Sequence, residues 1–200
     1  MAATKVCNVR FEGNVITTTV TASGAAVESW LDEILSVHRR RLHKLVVGLD
    51  VEWRPSFSRA YSKTAIVQLC VGRRCLIFQL LHADYVPNTL DEFLSDPDYT
   101  FVGVGVAADV ERLENDYDLE VANAEDLAEL AAKEMGHPDL RNAGLQGIAR
   151  VVMDAHVEKP QWVRTGPWDA SSLSDEQIEY ATIDAFVSFE VGRMLLSGYY

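Results

Sequence analysis

The sequence contains no hydrophobic run long enough to cross a membrane. A membrane-spanning helix needs about 20 consecutive apolar residues, and the apolar stretches here, such as 101–108, are much shorter. Residues 1–11 also lack the basic start, apolar stretch and small-residue cleavage site of a secretory signal. We therefore expect an intracellular protein, in the cytoplasm or the nucleus, with no membrane partner.

Cysteine is scarce, and basic residues are outnumbered by acidic ones. Cys7, Cys70 and Cys75 form no CxxC pair, and three cysteines cannot all pair within one chain, so neither a disulfide framework nor a zinc site is expected. The 18 Lys and Arg against 30 Asp and Glu give a formal net charge of -12. Because nucleic acid is a polyanion, this charge argues against a protein that binds it through a broad basic surface.

What the sequence does have is the composition of one globular domain. With 200 residues, of which 48% are hydrophobic, the chain is long enough to bury a core and too short for two full-sized domains. It shows no internal repeat, low-complexity segment or linker. We therefore treat 1–200 as a single domain, with an N-terminal hairpin and helix over 1–43 and a core over 44–196.

The N-terminal part begins with two β-rich stretches, 6–11 and 15–21, separated by a turn with Gly and Asn, which predicts a hairpin. The hairpin is a candidate oligomer contact, with packing inside one subunit as the alternative. Apolar residues at helical spacing predict a helix over 25–40. It ends in Arg39-Arg40-Arg41, which indicates a basic helix end, with nuclear targeting or phosphate contact as the alternative.

The core shows alternating strand and helix patterns. Continuous apolar runs predict buried strands over 45–51, 65–71, 75–80 and 101–106. Helices are predicted over 107–115, 124–135 and 142–153, with a short one capped by Asn88 and a long C-terminal one that opens with a Ser174/Gln177 capping box. The segment 154–172 is predicted to be a loop. This order predicts an α/β fold with a mixed sheet and helices on both faces.

Two carboxylates stand at the end of the first core strand. Asp50 and Glu52 follow an otherwise apolar run, and side chains two residues apart on a strand point to the same side of the sheet. Two carboxylates at a buried strand end need a cation or a shared proton, because like charges raise one another's pKa. A divalent metal is one solution, and a strand that ends in solvated acids is the alternative.

Three further residues can join this pair. Tyr180 and Asp184 lie one turn apart on the C-terminal helix, among apolar neighbours, so Asp184 needs a partner. Asp109 follows a buried strand at the opening of a helix. Gly103, Gly105 and Ala108 also match a dinucleotide-binding fingerprint, but Asp109 would place a negative charge beside the pyrophosphate. Close packing of strand against helix is the alternative explanation of the glycines.

Taken together, these residues carry a family resemblance. Asp50-x-Glu52, Asp109 and Tyr180-x-x-x-Asp184, in this order, resemble the DEDDy branch of the DnaQ-like 3′–5′ exonucleases. The flanking segments 48–55, 65–70 and 173–177 are similar to the Werner-like exonucleases, including small stand-alone ones from plants. The other branch has a histidine five residues before the last aspartate, where this chain has Glu179. The resemblance covers 44–196 and implies a ribonuclease H-like fold.

The resemblance implies a two-metal hydrolysis of phosphodiester bonds, with 5′-mononucleotides released from a 3′ end. The implied ligands of two Mg²⁺ or Mn²⁺ ions are Asp50, Glu52, Asp109 and Asp184. Tyr180 would orient the attacking water. The alternative is a catalytically idle relative that binds nucleic acid or protein through the same fold, but all five residues are present, which favours the enzyme.

Substrate contacts are expected from residues that flank these motifs. The predicted substrate-binding residues are Trp53, Arg54, Lys159, Trp162 and Arg164, with Arg59 and Trp168 as further candidates. Packing is the alternative for the tryptophans. The expected partner is the 3′ end of single-stranded DNA or RNA, which the sequence does not distinguish. By resemblance to plant relatives, a homo-oligomer as large as a hexamer and a protein partner in nucleic-acid processing are also expected.

Overall fold

The computed structural model describes residues 3–56, 58 and 60–200. It contains strands and helices, as the sequence predicts, and most of their bounds lie within a few residues of the predicted ones. The strands are β1 (Thr4–Phe11), β2 (Asn14–Thr21), β3 (Val46–Glu52), β4 (Ile66–Val71), β5 (Arg74–Phe78), β6 (Thr100–Gly103) and β7 (Ala124–Asp126). The helices are α1 (Gly24–His38), α2 (Asn88–Leu94), α3 (Val106–Tyr117), α4 (Leu127–Glu134), α5 (Leu145–Met153), α6 (Gln161–Arg164) and α7 (Asp175–Ser197).

The seven strands form one mixed sheet in the order β1-β2-β5-β4-β3-β6-β7. The N-terminal hairpin is antiparallel and joins the sheet through a parallel pairing of β2 with β5. In the middle, β3 pairs antiparallel with β4 and parallel with β6. Every residue of β4 is buried, so both faces of the sheet are covered there, as its continuous apolar pattern predicts.

Three local predictions are wrong. Residues 124–126 form the edge strand β7 instead of the start of a helix, because parallel pairing with β6 overrides the helical propensity of Ala and Glu. Helix α4 starts after them, capped by Asp126, whose carboxylate accepts from the Ala128 amide at 2.8 Å. Asn88 is the first residue of α2 and not its cap. The predicted loop 154–172 contains the short helix α6.

The strand predicted over 101–106 ends at Gly103. Gly105 has φ +68° and forms the N-cap of α3, which turns the chain from the sheet into the helix. The capping box of α7 is present as predicted: the Ser174 hydroxyl accepts from the Gln177 amide at 3.2 Å, and the Gln177 side chain accepts from the Ser174 amide at 3.0 Å. Each of these turns fixes the start of a helix that carries an acidic candidate residue.

Helix α7 is the longest helix and lies across the sheet, in contact with β3, β4, β5 and β6. Fourteen of its residues are buried, including Tyr180 and Asp184. No helix in the described part of the chain is both long and apolar enough to cross a membrane. The contact between α7 and β3 places the residues that follow.

Candidate active site

Three of the five predicted site residues meet where α7 crosses the end of β3. Asp50, Glu52 and Asp184 each offer a carboxylate oxygen, and these oxygens lie within 4.8 Å of one another. Asp184 is 2% exposed, whereas Asp50 and Glu52 are half-buried. The period-two prediction for the strand pair is therefore confirmed in geometry, and α7 supplies the third carboxylate.

Two glycines let these elements approach closely. A Cβ atom at Gly48 would overlap the Ala185 carbonyl oxygen and lie 2.7 Å from the Phe189 amide nitrogen, so only glycine lets β3 touch the α7 backbone. A Cβ atom at Gly103 would lie 2.6 Å from the Leu49 carbonyl oxygen. The glycines of β3 and β6 thus bring the strands and α7 close enough for their carboxylates to converge.

The fingerprint glycines also have a structural explanation. Gly103 packs against β3, and the Gly105 amide donates to the Asp126 carboxylate at 2.7 Å. The Gly105 amide, to which a pyrophosphate would bind, therefore already donates its hydrogen bond to a carboxylate. The packing explanation of the fingerprint is therefore the one that the structure supports.

Burial and mutual repulsion hold the carboxyl groups partly protonated when no cation is bound. Burial, together with the charge of Asp184, raises the pKa of Asp50 to about 7. Burial and the charges of Asp50 and Asp184 raise the pKa of Glu52 to about 10. The pKa of Asp184 is also raised by burial. These carboxyls favour a bound cation, because a cation would remove both the repulsion and the cost of the buried charges.

One side chain already supplies positive charge to the cluster. The Lys159 ammonium donates to Asp184 Oδ2 at 2.6 Å and lies 5.5 Å from the centre of the Tyr180 ring. Its charge opposes the increase in the pKa of Asp50, Glu52 and Asp184. Lys159 therefore contacts a predicted metal ligand directly, which the sequence did not indicate.

Asp109 lines the same cleft but stands outside the group of three. It lies in the first turn of α3 and is 9% exposed. Burial and the charge of Asp50 raise its pKa to about 8, while Arg112 opposes the increase. The charge of Asp50 thus acts on Asp109, which is outside the group whose carboxylate oxygens all lie within 4.8 Å of one another.

Tyr180 lies one turn before Asp184 on α7 and is only 6% exposed. Its ring packs against Trp168, with 5.9 Å between the centroids. Burial and the nearby charges of Asp184, Glu52 and Asp50 raise its pKa above the ordinary value near 10. The hydroxyl therefore stays neutral at physiological pH, able to donate and accept hydrogen bonds.

The carboxylates open onto a cleft of about 410 Å³. It is lined by Asp50, Val51, Glu52, Trp53, Pro55, Val104, Asp109, Lys159, Arg164, Thr165, Tyr180 and Asp184. The structure thus brings all five predicted catalytic residues to one cleft, together with three of the five predicted substrate-binding residues.

The other predicted substrate residues lie elsewhere. Arg54 is exposed, and its guanidinium contacts the Asp169 carboxylate at 3.2 Å. Trp162 is 66% exposed and lines a neighbouring cavity of about 430 Å³ that the cleft meets at Tyr180. Trp168 is completely buried, so its packing role is the one observed. Arg59 lies outside the described residues.

Sequence reasoning missed Arg112. Its guanidinium stacks on the Trp53 ring at 3.7 Å from the centroid and donates to the Ser62 carbonyl at 3.1 Å. It stands three residues after Asp109, on the same face of α3, and this spacing was the available signal. Arg112 therefore ties the helix that carries Asp109 to the aromatic residue that follows Glu52.

Comparison with known proteins agrees with this geometry. The 3′-5′ exonuclease family model matches residues 22–197, so the chain belongs to the 3′-5′ exonuclease family. A 3′-5′ exonuclease from Arabidopsis thaliana is 30% identical over 189 residues, 93% of this chain and 65% of that protein. The bifunctional 3′-5′ exonuclease/ATP-dependent helicase WRN of Mus musculus is 26% identical over 152 residues, 75% of this chain and 11% of that protein.

Among solved structures, the EXD2 exonuclease domain soaked in Mn superposes with a TM-score of 0.53 at 25% identity, covering 91% of this chain and 90% of that chain. The predicted ribonuclease H-like α/β fold and the resemblance to Werner-like exonucleases are confirmed. The chain spans less than two thirds of the length of the Arabidopsis relative.

The donor set fits a hard divalent cation. Its three converging groups are all carboxylates, the oxygen donors that Mg²⁺ and Mn²⁺ prefer. Burial and repulsion between the carboxylates raise the pKa values of Asp50 and Glu52, and a bound cation would oppose both effects. Lys159, whose ammonium contacts Asp184, marks the place where positive charge is needed.

Proposed function

We propose that this protein is a metal-dependent 3′–5′ exonuclease that removes 5′-mononucleotides from the 3′ ends of single-stranded DNA or RNA. The observation that carries the proposal is the convergence of Asp50, Glu52 and Asp184 within 4.8 Å in a chain of the 3′-5′ exonuclease family. The relatives and the EXD2 domain soaked in Mn support the same reading.

Asp50, Glu52, Asp109 and Asp184 would hold two Mg²⁺ or Mn²⁺ ions. Such a pair supplies electrostatic stabilisation of both the attacking and the leaving oxygen of a phosphodiester displacement. Asp109 lines the cleft outside the group of three carboxylates, and the family resemblance implies that it contacts the more weakly held ion. The contribution of the protein is to fix four carboxylates on three rigid elements.

Tyr180 would orient the attacking water. Its buried hydroxyl keeps its proton at neutral pH, so it acts through hydrogen bonds and not as a base. It lies one turn from Asp184 and lines the cleft, so a water beside the carboxylates is within its reach. The packing of its ring against Trp168 fixes the position of the hydroxyl.

Lys159 would contact the scissile phosphate when a cation takes its place on Asp184. Its side chain is partly exposed at the cleft. When the cation binds Asp184, the ammonium would leave this carboxylate and bind a phosphate oxygen in the same cleft. Arg164 lines the same cleft and would bind a neighbouring phosphate. Trp53, held by the stacked Arg112, would pack against the terminal nucleotide.

Arg54 and Trp162 would contact the strand beyond the terminal nucleotide. Arg54 is exposed and paired with Asp169, and the exposed Trp162 lines the cavity that meets the cleft at Tyr180. Since the protein carries a net charge of -12, capture of the strand should be weak and sensitive to salt.

The experiment is a digestion of matched DNA and RNA strands of the same sequence, labelled at the 5′ end, with Mg²⁺ or Mn²⁺. The proposal predicts a ladder of labelled strands shortened from the 3′ end, and unlabelled 5′-mononucleotides that chromatography of the products detects. Strands that end in a 3′-phosphate serve as the control, since they should be shortened more slowly. Strand binding without shortening at any metal concentration would favour a catalytically idle relative. The mass of the protein in solution, measured in parallel, tests the predicted oligomer.

A further inference from the structure

Basic residues are concentrated at one end of the sheet. Six of the 18 Lys and Arg residues lie directly after α1, in the turn before β3, or where the chain passes from β4 to β5. We call this set of residues the basic end. Its members are Arg39, Arg40, Arg41, Lys44, Arg73 and Arg74. In a protein with a net charge of -12, a third of the positive side chains therefore occupy one small region.

The topology explains why these residues meet. The turn between β4 and β5 carries Arg73. Val71 and Arg74, which flank this turn and pair with each other, lie at the end of the sheet where β3 begins. The chain reaches β3 from α1 through a short 3-10 turn, Leu42–Lys44. The Arg41 amide donates to the His38 carbonyl at 2.7 Å, and Arg74 pairs with Glu33 of α1 at 2.6 Å, so both cations lie beside the C-terminal turns of α1.

Most members of the basic end are exposed and have no ion-pair partner among the residues that the structure describes. Arg39, Arg40 and Arg41 are exposed and, with 36–38, line a concave surface of about 700 Å³. In the part of the chain that the structure describes, Arg74 is the member of the basic end with an ion-pair partner, Glu33 at 2.6 Å. Arg39, Arg40 and Arg41 have no carboxylate partner among the described residues, and three adjacent guanidinium groups of this kind form a surface suited to phosphate groups, which they bind through paired hydrogen bonds.

The position of the basic end relative to the cleft limits what it can do. The catalytic carboxylates lie at the far end of β3, and the seven residues of this strand span about 20 Å at about 3.3 Å per residue. A residue of the basic end therefore cannot reach the phosphate under attack. It can reach phosphates several nucleotides away on the same strand.

We propose that the basic end is a second nucleic-acid contact, which binds the phosphate backbone of the substrate several nucleotides upstream of the 3′ end. This inference rests on the proposed exonuclease function, since it concerns the body of the same substrate. It compensates for the acidic cleft: the end of the strand enters a region of negative charge while its body is held by arginines.

The experiment compares two triple variants that remove the same number of positive charges. The test variant is Arg39→Ala/Arg40→Ala/Arg41→Ala, and the control is Lys133→Ala/Arg141→Ala/Arg150→Ala, whose three side chains are also exposed. Binding of a fluorescent strand of about 20 nucleotides, longer than common single-strand sites of about 4–16, is measured in chelator over a range of salt concentrations. A trinucleotide and the long strand are then digested with Mn²⁺.

The test variant should bind the long strand about tenfold more weakly, and the slope of log affinity against log salt should fall by about 2, since each lost phosphate contact on a single strand contributes about 0.7. Its turnover of the trinucleotide should be unchanged, and its KM for the long strand should rise. The control should behave like the unmodified protein.

Equal affinity and slope in the two triple variants would overturn the inference. Polyglutamate at matched charge serves as a competitor. If it displaced the strand as readily as unlabelled strand does, the inference would also be overturned, because the occupant would then be an acidic protein. Failure of the unmodified protein to cleave the trinucleotide would instead contradict the exonuclease function and leave the binding comparison intact.

Discussion

The ammonium of Lys159 lies 2.6 Å from the carboxylate of Asp184, a member of the acidic cluster. Asp184 is 2% exposed, so this ion pair is shielded from water and from salt on the Asp184 side. The same carboxylate lies within 4.8 Å of Asp50 and Glu52. At the proposed metal site, Lys159 and a divalent cation would therefore compete for the carboxylate of Asp184.

Replacement of Lys159 by Met should tighten Mn²⁺ binding and slow nucleotide release. Loss of one positive charge near the site should raise the Mn²⁺ affinity by about fivefold, the effect of about 1 kcal/mol. The rate should fall because the phosphate loses a cationic partner. Calorimetric titration and single-turnover assays measure the two effects, with Lys133→Met, an exposed lysine, as the control. Unchanged Mn²⁺ affinity would show that Lys159 does not compete with the metal.

The stability of the metal-free protein should fall as the pH rises. The pKa values of Asp50, Asp109 and Glu52 are raised to about 7, 8 and 10, so the folded state holds protons that the unfolded chain has lost. Their contribution to stability is therefore fully present below about pH 4, the ordinary carboxyl pKa, and is lost as the pH rises through the folded values.

Urea unfolding in chelator at several pH values between about 5 and 9 tests this dependence, and Asp50→Asn should reduce it. Binding of Mn²⁺ should remove most of the pH dependence of the unfolding free energy. It should also release protons near pH 7, and calorimetry in buffers of different ionisation enthalpy detects this release. An unfolding free energy that rises with pH over this range would contradict the assigned direction of the pKa shifts.

Tyr180→Phe should preserve metal binding and lose most of the turnover. The hydroxyl is proposed to orient the attacking water, and misplacement of a reacting group by about 1 Å costs about 10²-fold. The ring remains in place, so its contact with Trp168 and the stability of the fold should persist. Thermal shift with Mn²⁺ and single-turnover kinetics separate the two effects. Near-normal turnover would remove Tyr180 from the mechanism.

Gly48→Ala should destabilise the protein and separate β3 from α7. The added Cβ would overlap the Ala185 carbonyl oxygen, and overpacking of this kind costs about 1–3 kcal/mol. Because the same contact places Asp184 beside Asp50, Mn²⁺ should also bind more weakly. Gly144→Ala is the control, since its Cβ would meet no atom within 4 Å. Equal unfolding free energies of the two variants would show that the close approach is not required.

Much of the site followed from local patterns in the sequence. Asp50 and Glu52 share a side because strand side chains alternate, and Tyr180 lies one turn from Asp184 because helices repeat every 3.6 residues. The capping box of α7 was visible in Ser174 and Gln177 for the same reason. Local periodicity was sufficient wherever both partners lay on one element.

The remaining features depend on contacts between distant segments. The Lys159–Asp184 pair joins residues 25 positions apart, and Arg112 meets Trp53 across the loop that follows β3. Residues 124–126 have helical propensity but form an edge strand, because pairing with β6 satisfies their backbone groups. Such outcomes are set by tertiary packing, which no single segment encodes.

The central claim is that the carboxylate cluster cleaves phosphodiester bonds at a 3′ end with a bound divalent metal. The most direct test is release of labelled 5′-mononucleotide from a 3′-labelled strand with Mn²⁺, by the unmodified protein and by Asp50→Asn. We predict release by the unmodified protein and none above background by the variant, which should remain folded because the substitution relieves repulsion in the cluster. Equal release by both proteins, or release that persists in chelator, would contradict the account.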